Sequence, residues 1–105
     1  MRDLENRPSA VSGPFRAPAE LLFALGSALY RNGQPADAET EWKAALEADP
    51  KMGKAHNNLA VVYMEAGRFD LAEQEIELAE KNGMHVNPQF KADLKAAESH
   101  TEKRQ

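Results

Sequence analysis

The chain carries nearly the same pattern twice, 34 residues apart, and a period of that length constrains the fold more than any composition does. Superposing Leu22 to Pro50 on His56 to Met84 sets Leu25 on Leu59, Gly26 on Ala60, Leu29 on Tyr63 and Gly33 on Gly67. It also sets Ala38 on Ala72, Trp42 on Ile76 and Ala45 on Ala79. The matched residues are apolar or small, and their spacing is that of one buried helix face. Each copy therefore reads as two helices, and two copies side by side share a core that neither closes alone.

Punctuation residues place the helix ends. Pro18 and Pro35 suit first helical turns, where a missing N–H costs nothing. Asn32-Gly33, Gly67 and Gly83 are stops, and Asp49-Pro50 ends the second helix because a residue before proline is disfavoured in the helical region. The hairpins span 18–49 and 53–82. Leu21, Leu22, Leu25, Ala28 and Leu29 form the expected buried stripe of the first helix, and Ala38, Trp42, Ala45 and Leu46 that of the second. Ala55, Leu59, Val62 and Tyr63, then Leu71, Ala72, Ile76 and Ala79, repeat the plan. Gly26, Ala60, Ala38 and Ala72 stand where paired helices cross closely and only small side chains fit. Asn87-Pro88 starts a last helix with Phe90, Leu94 and Ala97 on its apolar side; Leu94 falls one residue later than a third repeat requires, so this helix reads as a cap.

Leu22, Leu25-Gly26, Leu29, Ala38, Trp42, Ala45 and Pro50 in that order resemble the tetratricopeptide repeat. The resemblance implies an all-α fold: an α-solenoid of antiparallel helix hairpins with a capping helix. Its parts are repeat one at 19–52, repeat two at 53–86 and the capping helix at 87–101, between a flexible arm at 1–17 and a polar tail at 102–105. It further implies a non-catalytic protein-protein interaction module, an adaptor or scaffold whose first helices line a concave groove for a peptide or partner helix. The faces opposite the hairpin contacts carry Glu20, Phe23, Ser27, Tyr30 and Arg31, then Lys54, Asn57, Asn58, Val61, Met64 and Glu65. Of these, Phe23, Ser27, Tyr30, Lys54, Asn57, Asn58, Val61 and Met64 are the expected partner-binding residues. A side-chain amide such as that of Asn58 holds the backbone of an extended ligand through two hydrogen bonds. The family's carboxylate clamp for chaperone tails is matched only at Asn58, since Phe23 and Ser27 stand where its first Lys and Asn belong.

Composition narrows the alternatives. A formal charge of −4 argues against binding the phosphate backbone of nucleic acid. No run approaches the roughly 20 apolar residues of a membrane span, so a cytoplasmic protein is expected. With no cysteine there is no thiolate nucleophile or thiolate metal site. The three histidines, at 56, 85 and 100, belong to no catalytic or metal-binding run, so neither enzyme activity, metal nor cofactor is expected. His56 instead falls at a core position of the repeat. Asp70, Glu73, Glu75, Glu77 and Glu80 read as a solvated convex face. Because two repeats fall short of the usual three, a homodimer that buries exposed repeat faces is the alternative reading.

Overall fold

The computed structural model describes residues 17–104, all helices and tight connections. Residues 1–16 of the expected arm over 1–17 lie outside the described residues. The helices are α1 (Ala19–Arg31), α2 (Pro35–Ala48), α3 (Gly53–Glu65), α4 (Phe69–Lys81) and α5 (Pro88–Arg104). α1 packs with α2 and α3 with α4 as hairpins, and α2 lies beside α3. α5 runs three residues past the expected end at 101. No helix among the described residues is long and apolar enough to cross a membrane.

The same closure ends both first helices. Gly33 and Gly67 each take φ of +79°, which lets the next N–H reach back to the helix. Gln34 N–H donates to the Leu29 carbonyl at 2.9 Å, and Arg68 N–H to the Tyr63 carbonyl at 2.8 Å. These two bonds are 34 residues apart, as the sequence period requires. At the start of α5, Asn87 Oδ1 accepts from Gln89 N–H at 2.8 Å, the role expected of a cap.

The core is built on close approach. Ala38, Ala60 and Ala72 are fully buried. A Cβ added at Gly26 would lie 2.6 Å from both Cδ1 and Nε1 of Trp42, so the hairpin closes only because this position has no side chain. The indole then donates from Nε1 to the Phe23 carbonyl at 3.1 Å. Its ring lies between Phe23 and Tyr30, with centroids 6.3 and 6.0 Å away. A second cluster, Ala45, Met52 and Ala55 with Leu22 and Leu46, sits where the two repeats join. Met52 and its repeat equivalent Val86 are both buried, although each lies in a connection.

His56 is buried as expected, but with polar partners. Its Nδ1 lies 2.7 Å from Glu75 Oε1 and its Nε2 3.0 Å from the Pro50 carbonyl. A neutral ring donates at one of these nitrogens and an imidazolium at both.

The two ends of the stack differ. At the C-terminal end α5 lies along α4: Leu94 is buried between them, and Lys91 pairs with Glu80 at 2.7 Å. At the N-terminal end the expected buried stripe of α1 is not fully covered. Leu21 is 59% and Leu25 45% exposed, whereas their repeat equivalents Ala55 and Leu59 are 0% and 1% exposed. The physical reason is the neighbour: α3 has α2 beside it, and no described helix occupies the corresponding place beside α1.

One polar cluster ties the repeats together outside the core. Glu39 accepts from Arg68 Nη1 and from the Tyr63 hydroxyl, both at 3.2 Å, and pairs with Lys43 at 3.0 Å. Partial burial alone raises the Glu39 pKa, but the Lys43 hydrogen bond and charge, then Arg68 and Tyr63, outweigh it and hold the carboxyl below its usual range. A depressed carboxyl contributes stability above its unfolded pKa, near 4.3, and that contribution fades as pH falls through the folded value. We therefore expect the parent to lose more stability than Glu39→Gln between pH 6 and pH 3, as read from melting curves. Lys43 and Arg68 are about half exposed, so the difference should not exceed about 1 kcal/mol.

Candidate functional site

α1 and α3 present adjacent faces, and the sequence-derived partner residues lie along them. Two polar ties span these helices. Near their N-termini, Lys54 Nζ meets Glu20 Oε1 at 2.8 Å and stands 4.6 Å from the Phe23 ring centroid. Near their C-termini, the Tyr30 hydroxyl lies 2.8 Å from both Glu65 carboxylate oxygens, to which it donates. Burial first, then the hydrogen bond to Glu65 and its charge, pushes the Tyr30 phenol above its usual pKa. The Tyr30 proton therefore stays in place at neutral pH, and with it the tie between repeats.

Between the ties lies an open cleft of about 200 Å³ lined by Ser27, Tyr30, Arg31, Trp42, Asn58 and Val61. Four of the eight expected partner-binding residues, Ser27, Tyr30, Asn58 and Val61, converge on it. The Ser27 hydroxyl donates to the Phe23 carbonyl at 3.1 Å, leaving its oxygen free to accept. The side chains of Asn57, Asn58 and Arg31 make no hydrogen bond or ion pair with any described residue, and all three residues are at least partly exposed. Such groups exchange water for a ligand without losing an internal bond.

The other expected residues are divided between structure and surface. Phe23, Tyr30 and Met64 pack against the core while keeping part of their surface in solvent. Lys54 is engaged by Glu20 and Phe23, so a ligand using it displaces an existing pair. Asn57 is half-buried and lies outside the cleft lining. Trp42 as the cleft floor was not foreseen from the sequence, where its size and repeat position indicated packing alone. Both roles hold, because the absent side chain at Gly26 brings the indole up against α1.

The cleft is smaller than the roughly 300–1,000 Å³ of sites that enclose a small molecule, and it holds one charged residue, so it offers no acid-base pair for catalysis. Elsewhere, the carboxylates of Asp70, Glu73 and Glu98 come within 4.8 Å of one another. Asp70 and Glu73 are exposed and belong to the acidic face already noted.

Comparison with known families gives one match: the family described as Tetratricopeptide repeat matches residues 23–85. That span begins in α1 and ends after α4, and so contains both hairpins apart from the first turn of α1. No curated protein and no solved structure matches the chain.

Proposed function

We propose that this chain, which belongs to the tetratricopeptide repeat family, is an adaptor or scaffold that holds an extended peptide in the concave face between α1 and α3. Tetratricopeptide repeats are in general protein-protein interaction modules. The observation that carries the finer reading is the cleft at Ser27, Asn58 and Val61, where the unpartnered Asn58 amide and the accepting Ser27 oxygen border an apolar floor. A peptide there gains backbone hydrogen bonds from the Asn58 amide and buries one side chain against Val61 and Trp42.

The test is selection of binding 12-residue peptides from a random displayed library, followed by titration against variants. Asn58→Ala is expected to weaken the selected peptide about tenfold, the value of a lost buried hydrogen bond. Val61→Glu should abolish binding, with melting temperature unchanged within a few degrees. Selected peptides indifferent to both substitutions would sink the groove reading.

A second reading is favoured by one observation, the exposure of Leu21 and Leu25 on α1. In repeat two the equivalent face is covered by a helix, so in repeat one it is an apolar face suited to a second copy of the chain. On that reading self-association, and not peptide capture, is the purpose of the repeats.

A further inference from the structure

Resting on the groove reading, we propose that the cleft selects an acidic peptide: an Asp or Glu side chain pairs with Arg31 while a neighbouring aliphatic side chain enters over Trp42. Arg31 is the one charged residue lining the cleft. Four charged residues stand along the α1 and α3 faces, namely Glu20, Arg31, Lys54 and Glu65. Glu20 and Lys54 neutralise each other at 2.8 Å, and Glu65 accepts from Tyr30. The Arg31 side chain alone among them has no hydrogen bond or ion pair within the described residues. Its position at the C-terminal end of α1 gives it the helix dipole as its nearest compensation, a partial charge that leaves the guanidinium open to a stronger partner. A guanidinium offers a carboxylate two parallel N–H bonds, so one acidic side chain fixes both affinity and register.

The aliphatic part follows from size and lining. About 200 Å³ exceeds the roughly 150 Å³ that encloses a benzene ring, so a leucine-sized side chain fits. Asn58, across the cleft from Arg31, is then placed to hold the intervening backbone. A basic peptide meets Arg31 with a like charge and is rejected by the same geometry. Glu65 works against the acidic ligand: its charge stays near this end of the groove, held by Tyr30.

Trp42 is the only tryptophan, which makes its emission a reporter confined to the cleft floor. The probes are three acetylated and amidated nonapeptides with Leu-Asp-Leu, Leu-Asn-Leu or Leu-Lys-Leu at the centre of a Ser-Gly frame, so that no terminal carboxylate confuses the readout. The acidic peptide is expected to bind about tenfold more tightly than the neutral one, at the low end for a charge-assisted bond because Arg31 is exposed. Arg31→Gln should erase that preference without changing the neutral peptide's affinity, and Glu65→Gln should increase it. Equal affinity for the acidic and neutral peptides overturns the acidic selectivity and leaves the groove reading standing. No saturable Trp42 response to any of the three overturns the inference, and the displayed-library selection then decides the groove reading independently.

Discussion

Trp42→Ala is expected to destabilise the chain by about 3–5 kcal/mol, the usual loss for a fully buried large aromatic. Three things go at once. The indole is 2% exposed, so nearly all its apolar surface returns to water or leaves a void. Its Nε1 bond to the Phe23 carbonyl disappears. Phe23 and Tyr30, which lean on its ring, lose the surface that orients them. A small domain of this size has a total stability of about 5–15 kcal/mol, so the variant should be largely unfolded or melt tens of degrees lower. A thermal melt followed by helix circular dichroism reads this directly. A parent-like curve would mean that the α1–α2 hairpin does not depend on the indole.

Gly26 gives the second large effect, through the same contact. A Cβ placed 2.6 Å from two atoms of a rigid ring forces either the indole or the helix to move, and overpacking of this kind costs about 1–3 kcal/mol. Alanine's better helix propensity returns about 0.5–1 kcal/mol, so Gly26→Ala should be net destabilising. Gly26→Val, with a larger and stiffer side chain and no such compensation, should approach the upper value. Repeat two contains its own control: the equivalent positions hold Ala60 and Ile76, an extra methyl facing a smaller partner. Combining Gly26→Ala with Trp42→Ile should therefore cost less than the two single changes added together, by about 1 kcal/mol or more in a double-mutant cycle. Strict additivity would show that the contact is not the reason for the glycine.

This pair also shows why much of the fold could be read in advance. A small residue opposite a large one at helical spacing, repeated after a fixed interval and closed by glycine, specifies a hairpin locally. Neither Gly33 nor Gly67 needs knowledge of distant contacts to act as a stop. The stripe of α1 departs from its periodicity for the opposite reason. Periodicity marks Leu21 and Leu25 as able to be buried, but whether they are depends on a neighbour, and a pattern within one helix holds no information about that. His56 is similar: its place in the repeat indicated a buried position, while its partners, Glu75 and the Pro50 carbonyl, come from a helix and a connection whose mutual placement the pattern does not fix.

The residues of the α1 and α3 faces can be sorted in advance because helical spacing separates side chains by face. Ser27, Asn58 and Val61 meet at one cleft on that basis. Their energetic standing was not readable. That Lys54 is occupied by Glu20 and Arg31 is unoccupied depends on how α3 sits against α1, and a pattern within one helix holds no information about that. The separation matters for design of any binding variant. Phe23, Tyr30 and Met64 pack against the core, so on the proposed groove reading changes there alter packing and binding together, whereas Asn58, Val61 and Arg31 test binding with less cost to the fold.

The measurement that bears most directly on this account is the molar mass in solution by light scattering, taken over about a hundredfold range of concentration so that mass action would reveal association. If the five described helices close their own core and leave the α1–α3 face open for a foreign peptide, the mass should be that of the monomer, 11.6 kDa, throughout. A mass of two chains that falls to one on substituting Leu21→Ser and Leu25→Ser would contradict this, and would make the exposed face of α1 an interface between copies.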